Sequence, residues 1–317
     1  MSAAAGIKSI REAYGKALVQ LGQINPNVVV LDADLSKSTM TRIFAQEFPK
    51  RFFDMGLAEQ NLMSVAAGLA ASGKIPFAST FAVFATGRAF DQLRVSIAQP
   101  GLNVKIVATH GGITVGEDGA SHHAIEDLAL ACALPGFTVI VPADAPEAEQ
   151  AVVMAAQTSG PFYIRLARPS TSVIHGPGYR FHLGQAEELR SGGDATIIAL
   201  GLMVVPALEA AVSLEAEGIR CRVLNMATLK PLDTEAVVRA ARETGAIVTA
   251  EEHLQHGGLG SAVAQATAQA CPVPMGFVAI RDVYTKSGKA EELLRSRGLT
   301  ARDIAGAVRA VVARKGR

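Results

Sequence analysis

One glutamate stands alone in a long apolar stretch. In "MGLAEQNLMSVAAGLAASG", residues 55–73, Glu59 is the only charged side chain. Apolar residues recur from Leu62 at the spacing of a helix with one buried face, and Gly73 ends the pattern. As a first-turn acid, Glu59 would simply complement the helix dipole. As a buried acid with a raised pKa, it could exchange protons during catalysis. On this residue alone, the helix-dipole interpretation would be preferred.

A second cluster lies in "THGGITVGEDGASHH", residues 109–123. His110 follows an apolar run, four glycines loosen the backbone, and Glu117, Asp118, His122 and His123 add two acids and two imidazoles. Loops that follow strands are where α/β sheets place their ligands. A solvated polar loop is the plain alternative, but this density of Gly, acid and His favours an active-site loop. The spacing matches no zinc or EF-hand pattern, so we predict no metal ligand in this chain.

Aromatic and cationic residues form two further groups. Phe81 and Phe84, in "FASTFAVFATGRAFDQ", supply aromatic surface near a predicted strand-to-helix turn, although core packing is the commoner fate of such rings. Arg168 closes the run "FYIRLAR" before a proline, where a guanidinium suits bidentate phosphate binding. Arg11 and Ser38 are scattered candidates for the same role, and for each of them a surface contact is the plain alternative.

These residues need elements to position them, and the hydrophobic pattern supplies a regular series. Short β-branched or apolar runs alternate with helical periodicity, which predicts repeated β-α-β units and a mostly parallel sheet covered by helices. The predicted strands are 27–34, 74–80, 103–110, 137–144, 161–168, 195–200, 221–226, 246–252 and 276–280. The predicted helices are the Glu59 helix up to Gly73 and residues 84–98, 204–216, 233–243, 259–270 and 300–314.

A seam divides this series. Residues 169–194 are rich in Gly and Pro and have little periodicity, so we interpret the first part as a linker and "FHLGQAEELR", residues 181–190, as a short hairpin arm. We therefore predict an α/β protein of two domains, one over residues 1–185 including the linker and one over 186–317. Each domain should be a mostly parallel sheet covered by helices.

Composition excludes several classes of protein. The 317 residues are 49% hydrophobic and 19% charged with a net charge of +1, which gives no basic excess for nucleic acid or an anionic membrane surface. Cys132, Cys221 and Cys271 are odd in number and far apart, as in reducing compartments. The first residues lack the apolar core of a signal peptide, and no window reaches the length of a membrane span. We expect a cytoplasmic protein that binds neither nucleic acid nor membranes.

Four motifs together resemble the C-terminal half of transketolases. They are "FFDMGLAEQN", "FASTFAVFATGRAFDQLR", "THGGITVGEDGASHHAIEDLAL" and "GPFYIRLARPS", in the order and at the spacing of that family. Transketolases are thiamine-diphosphate enzymes, related to deoxyxylulose-phosphate synthases and to the β subunits of 2-oxoacid dehydrogenases. The resemblance covers nearly the whole chain and implies a pyrimidine-binding domain followed by the family's C-terminal domain.

The resemblance also implies roles for individual residues. Glu59 matches the glutamate that contacts N1′ of the aminopyrimidine, where it shares a proton and activates the cofactor. The remaining roles implied by the match are cofactor binding for Phe81, Phe84 and Asp34, catalytic contacts to the donor's hydroxyls for Asp118 and His122, and grip on the sugar phosphate for Arg11, Ser38, His110 and Arg168.

Two departures from the family pattern are informative. Gly87 stands where full-length relatives often have an aromatic wall of the pyrimidine pocket. The family holds Mg²⁺ and diphosphate through a Gly-Asp-Gly motif, and this sequence contains none. The resemblance therefore implies one subunit of a split transketolase, active with a separate N-terminal subunit that carries the diphosphate and metal site. We expect an α2β2 heterotetramer acting on phosphosugars.

Other functions stay open at this point. A deoxyxylulose-phosphate-synthase-like enzyme is the nearest alternative because "GLAEQ" and "RAFDQ" fit that branch as well, although His110 and "GEDGASHH" favour transketolase. A 2-oxoacid dehydrogenase β subunit is a third alternative. A non-catalytic assembly subunit is a different class, but it would not require an acid at Glu59. The ketose donor, the aldose acceptor and the pathway, including a sulfosugar pathway, are not determined by the sequence.

Overall fold

The computed structural model describes residues 6–315 and contains two mostly parallel sheets covered by helices, which confirms the predicted fold class. In chain order the strands are β1 (Ile7–Lys8), β2 (Val28–Asp32), β3 (Phe52–Asp54), β4 (Ile75–Phe81), β5 (Lys105–Thr109), β6 (Thr138–Ile140), β7 (Phe162–Arg165), β8 (Thr171–Ser172), β9 (Glu187–Arg190), β10 (Ala195–Ala199), β11 (Cys221–Asn225), β12 (Thr228–Lys230), β13 (Ile247–Leu254) and β14 (Met275–Ile280).

The α-helices cover these sheets, and short 3₁₀ or π-helical turns lie between several of them. They are α1 (Ile10–Ile24), α2 (Ser36–Thr39), α3 (Arg42–Glu47), α4 (Glu59–Ala71), α5 (Ala82–Gly87), α6 (Asp127–Ala133), α7 (Ala145–Gln157), α8 (Val204–Glu215), α9 (Thr234–Thr244), α10 (Leu259–Ala270), α11 (Ala290–Ser296) and α12 (Ala301–Val312).

The first sheet has seven strands in the order β12–β6–β7–β5–β4–β2–β3. Its inner strands are buried on both faces, because alternate residues of β2 enter two different hydrophobic clusters. Val28 and Val30 pack with α1 and α7 residues on one face, while Val29 and Leu31 pack with α4 residues on the other. This double burial explains why the strand reads as an unbroken apolar run.

The second sheet has five strands in the order β14–β13–β10–β11–β9. The two halves of the chain are not separate bodies, because one hydrophobic cluster contains Leu62 and Ala85 together with Leu224 and Val237. In addition, β12 comes from the second half and pairs antiparallel with β6 at the edge of the first sheet. The predicted boundary at residues 185 and 186 lies in segment 173–186, which has neither helix nor strand, and it stays a prediction.

Two local predictions were wrong, and strand β12 was missed. The helix predicted over 84–98 is broken: α5 ends at Gly87, and a π-helical turn covers Gln92–Ala98. The segment 181–190 is no hairpin arm, because its strand β9 begins only at Glu187 and pairs with β11. A turn at Gly184, where φ is +76°, interrupts the residues before it. Strand β12 was not predicted, since a three-residue strand paired with a distant partner leaves no periodic signal.

Between residues 6 and 315, no helix is long and apolar enough to cross a membrane.

Candidate active site

The site lies where parallel strands of the first sheet end. Asp34 follows β2, Phe81 ends β4, His110 follows β5 and Arg168 follows β7, and these four strands are neighbours in the sheet. Asp34 and His110 both adopt positive φ values, +59° and +60°, which non-glycine residues seldom take. Such backbone conformations concentrate at functional sites. The predicted site residues thus share one edge of the sheet.

Glu59 is the first residue of α4 and is only 4% exposed. Its Oε1 atom accepts a hydrogen bond from Nη1 of Arg88 at 2.8 Å. The Arg88 side chain is 53% exposed, so the buried carboxylate faces a cation at the protein surface. The sequence predicted the isolated acid but not this partner, because Arg88 is 29 residues further along the chain.

Arg88 connects this carboxylate to a group of aromatic rings. The rings of Phe81 and Phe84 are stacked at 15° with centroids 5.9 Å apart, and His110 stacks on Phe81 at 3.8 Å. His122 meets Phe84 edge-on at 5.2 Å. The guanidinium carbon of Arg88 lies 3.9 Å from the centroid of Phe84. The predicted aromatic and imidazole residues therefore form one cluster.

Gly87 is the glycine that departs from the family pattern. It is exposed, and a Cβ placed on it would meet no atom within 4 Å. The structure therefore leaves space for a larger side chain at this position.

The predicted phosphate ligands form a second group. Arg11 donates hydrogen bonds from Nη1 to the carbonyl of Ser38 at 2.6 Å and from Nη2 to the carbonyl of Arg168 at 2.9 Å. Arg168 donates to the carbonyl of Val115 and lies 3.8 Å from the carboxylate of Asp118. Arg11, Arg168 and residues 114–117 line a cavity of about 330 Å³, hereafter the cationic cavity.

His110 connects the two groups, and burial strongly affects its charge. Its Nδ1 lies 2.8 Å from Oγ1 of Thr109. Burial, followed by the charges of Arg11, Arg168 and His122, lowers the pKa of His110 to about 3. The imidazole is therefore neutral near pH 7 and can donate one hydrogen bond without adding charge.

The glycine-rich loop after β5 is held by the second domain. Oε1 of Glu252, in β13, accepts a hydrogen bond from the backbone N–H of Thr114 at 2.6 Å. Gly112, at φ +80°, lets the loop pass this carboxylate, since a Cβ there would be 2.2 Å from its carboxyl carbon. His123 is buried between the carbonyl of Gly116, at 3.0 Å, and the hydroxyl of Thr285. The position of this loop thus depends on both domains.

Two predicted site residues are peripheral. Asp118 is exposed and reaches the cluster through Arg168. Asp34 is also exposed, and its backbone N–H donates to the carboxylate of Asp54 at 3.1 Å. Among residues 6–315, the Asp34 side chain forms no hydrogen bond or ion pair with another predicted site residue. Its assignment to cofactor binding stays a prediction.

Sequence reasoning missed a buried ion pair behind the site. Nε of Arg165, in β7, lies 3.0 Å from the carboxylate of Asp127 at the start of α6, and both side chains are almost fully buried. Nη2 of Arg165 donates to the carbonyls of Ala124 and Glu252, at 2.8 and 3.0 Å. A signal was present, since Arg165 interrupts the apolar run "FYIRLAR", and a charge inside a buried strand requires a partner.

A cluster between the domains was also missed. His175, in the linker, lies 2.8 Å from Asp144 through Nδ1 and 2.9 Å from Glu187 through Nε2. The side chains of Glu147, His175 and Glu187 are close enough to share a metal ion, with ligand atoms within 4.8 Å of one another. Burial alone would lower the pKa of His175, but the hydrogen bonds to Asp144 and Glu187 raise it to about 10. The protonated imidazole is thus itself the cation of this cluster.

Comparison with known proteins matches two family models to the chain. Residues 8–172 match the transketolase pyrimidine-binding domain, and residues 184–304 match the transketolase C-terminal domain. A transketolase C-terminal section of Methanocaldococcus jannaschii is 46% identical over 94% of each chain. A 6-deoxy-6-sulfo-D-fructose transketolase subunit of a Clostridium species is 44% identical, over 96% of this chain and 95% of the relative.

Longer relatives and a solved structure agree with these matches. Human transketolase is 40% identical over 95% of this chain, which spans 49% of the human protein. A solved structure described as a split gene transketolase, inactive β4 tetramer, is 56% identical and has a TM-score of 0.90. It covers 98% of this chain, which spans all of that chain. The chain belongs to the transketolase family and resembles a subunit of a split-gene member.

Proposed function

We propose that the chain is the β-type subunit of a split transketolase that moves a two-carbon ketol unit from a ketose phosphate to an aldose phosphate. One observation supports this proposal most directly. A buried carboxylate, Glu59, pairs with Arg88, whose guanidinium carbon lies 3.9 Å from the centroid of the Phe84 ring. His110 stacks on Phe81 and is influenced by the charges of Arg11 and Arg168, which line a cavity. A proton-exchanging group and an anion site at one sheet edge suit a phosphosugar enzyme.

The residues around Glu59 fit the aminopyrimidine of thiamine diphosphate. A flat aromatic heterocycle could stack on the exposed face of Phe84, where the planar guanidinium of Arg88 now lies 3.9 Å away. The Glu59 carboxylate would then contact a ring nitrogen and exchange a proton with it. When bound, the cofactor supplies the carbon nucleophile that ketol transfer requires, while this chain orients it and keeps water away from Glu59.

The remaining residues would act on the sugar. Asp118 and His122 lie on the same loop. Asp118 would accept hydrogen bonds from the hydroxyls of the ketose, and His122 would donate hydrogen bonds to them. Arg11, Ser38, Arg168 and neutral His110 would hold the terminal phosphate, since guanidinium groups match phosphate oxygens bidentately.

A partner chain is part of the proposal. The sequence has no Gly-Asp-Gly motif for the diphosphate and Mg²⁺, and it spans about half of human transketolase. An N-terminal transketolase subunit would supply those groups, with the cofactor across the interface of an α2β2 heterotetramer. We place this complex in the cytoplasm. The described β4 tetramer of the 56% identical relative, called inactive, is consistent with β chains that lack such a partner.

A sulfosugar is a second candidate substrate. The 44% identical relative is named for 6-deoxy-6-sulfo-D-fructose. This sugar carries a sulfonate in place of a phosphate. A cavity with two arginines would also accept that anion. The ketose phosphate is preferred here because a dianion gains more than a monoanion from paired cations.

The test is ketol transfer by the complex with its N-terminal subunit, thiamine diphosphate and Mg²⁺. We expect transfer from xylulose 5-phosphate to ribose 5-phosphate, with little use of pyruvate as donor. A parallel assay with 6-deoxy-6-sulfo-fructose as donor separates the two substrate classes. Efficient use of pyruvate with no transfer from either ketose would overturn the proposal in favour of the synthase or dehydrogenase alternatives.

A further inference from the structure

The second domain reaches over the cationic cavity through one short segment. Residues 285–289, "TKSGK", precede α11 and contact the active-site loop twice. The hydroxyl of Thr285 bonds His123, and that of Ser287 donates to the carbonyl of Glu117 at 2.6 Å. Gly288 and Lys289 line the cavity beside Arg11 and Arg168. The segment is thus part of the cavity wall, although it belongs to the other domain.

Gly116 marks how closely this segment approaches Arg168. A Cβ placed on Gly116 would lie 3.3 Å from the carbonyl oxygen of Gly288, 3.6 Å from the nitrogen of Ala290 and 3.9 Å from Nη1 of Arg168. The backbone on both sides of Lys289 and the Arg168 guanidinium therefore flank the same point. A lysine stem of four methylenes can bring its ammonium group to this cavity.

The charges around the cavity are unequal. Arg11, Arg168 and Lys289 are cationic, while Glu117 lines the cavity and Asp118 lies 3.8 Å from Arg168. Within residues 6–315, Lys289 forms no ion pair, and the buried Nε of Arg11 has no hydrogen-bond partner. Donor groups thus remain available for an anion that enters the cavity.

We propose that Lys289 is a specificity-determining residue of the second domain, a third cation that binds the terminal anionic group of the sugar beside Arg11 and Arg168. This inference rests on the proposed function and extends it, because it gives the second domain a part in substrate selection. A phosphate carries close to two negative charges near pH 7, whereas a sulfonate carries one. Lys289 should therefore favour phosphorylated over uncharged sugars, with a smaller effect on sulfonated ones.

The experiment compares Lys289→Met with Lys286→Met in the reconstituted complex. Lys286 belongs to the same segment and is exposed, but it does not line the cavity. We expect Lys289→Met to raise KM for ribose 5-phosphate about fivefold, as for one exposed ion pair, with kcat and the KM for ribose unchanged. The difference in KM between Lys289→Met and wild type should shrink at 0.5 M salt, because screening weakens exposed ion pairs. Lys286→Met should have the wild-type KM for ribose 5-phosphate, and Arg168→Ala should raise that KM far more than Lys289→Met does.

The outcomes separate this inference from the proposed function. A wild-type complex that does not distinguish ribose 5-phosphate from ribose removes both the phosphate site and the role of Lys289. A wild-type complex that does distinguish them, beside Lys289→Met with an unchanged KM, removes the role of Lys289 alone. Equal losses in Lys289→Met and Lys286→Met would likewise refute it, because they would reflect general surface charge.

Discussion

The Glu59 carboxylate combines burial with a single exposed cation, Arg88. Arginine has only donors, so it can pair with this carboxylate but cannot exchange a proton with it in the way that a ring nitrogen can. Glu59→Gln keeps the shape of the side chain and removes the exchangeable acid. We expect kcat of the reconstituted complex to fall at least ~100-fold.

Hydrogen–deuterium exchange at the thiazolium carbon of bound thiamine diphosphate is the direct measurement for Glu59. Glu209→Gln, on the exposed side of α8, is the matched control and should leave exchange unchanged. An exchange rate in Glu59→Gln equal to that of wild type would show that the residue only stabilises the helix start.

Arg88 covers the face of Phe84 that a pyrimidine ring would need. Its guanidinium bonds Glu59 at 2.8 Å and lies 3.9 Å above the Phe84 ring, so both contacts must be exchanged when a cofactor stacks there. We predict that Arg88→Ala tightens thiamine diphosphate binding to the complex roughly three- to tenfold. The cofactor would then no longer have to displace the contacts of Arg88 with Glu59 and Phe84. Calorimetric titration measures this change. Arg94→Ala, which breaks an exposed pair with Asp91, is the control. Weaker binding by Arg88→Ala would mean that Arg88 supports the site instead of covering it.

At the scale of elements, His175 joins three of them. Asp144 precedes α7, His175 lies in the linker and Glu187 begins β9, so this cluster fixes the two domains to each other. The pKa of His175 is raised from about 6.5 to about 10. A raised pKa contributes stability that is fully present below the unfolded-state value and is lost as pH rises through the folded-state value. The linker should therefore be held less firmly at alkaline pH.

This linkage predicts a measurable pH dependence. The free energy of unfolding should fall between pH 7 and pH 10. In His175→Gln this fall should be smaller, and the free energy of unfolding at pH 7 should be lower than in wild type by roughly 3 kcal/mol. Denaturant unfolding at several pH values measures both effects. His182→Gln, at an exposed position nearby in sequence, should keep the wild-type profile. An unchanged profile in His175→Gln would show that other groups carry the pH dependence.

Several of these elements were predicted because they follow short-range rules, although the helices α1 and α7 were not predicted. The helix predicted at 259–270 coincides with α10, and the apolar run 195–200 contains β10. Predictions failed where the deciding contact is distant or unusual in local geometry. The break after Gly87 turns a predicted helix into an α-helical and a π-helical part, and β12 depends on pairing with β6, about 90 residues earlier.

At the scale of the whole molecule, the contrast between short-range patterns and distant contacts also applies to the site. The motifs indicated Glu59, Phe84 and Arg168 because each follows a recognisable element. The support that joins the domains could not be predicted, since Glu252 holds Thr114 across 138 residues and no spacing rule spans that distance. The partner of Glu59 was missed for the same reason. Local patterns indicate which side chains are candidates for the site, whereas what holds them in place depends on tertiary structure.

The whole chain, finally, carries only part of the proposed site. This chain supplies Glu59, the Phe84 ring and the cationic cavity. The proposed ligands of the diphosphate and Mg²⁺ would belong to another subunit. Leu57, two residues before Glu59, is 73% exposed, so apolar surface adjoins the carboxylate in the chain alone. We predict that the purified chain binds thiamine diphosphate weakly and shows no ketol transfer, and that adding the N-terminal subunit with Mg²⁺ restores both. Sedimentation with and without that subunit, beside activity assays of the same samples, measures assembly and function together. Full turnover by the purified chain alone would contradict the split-site interpretation, and a Leu57→Asp chain that still assembled and turned over normally would place the subunit contact elsewhere.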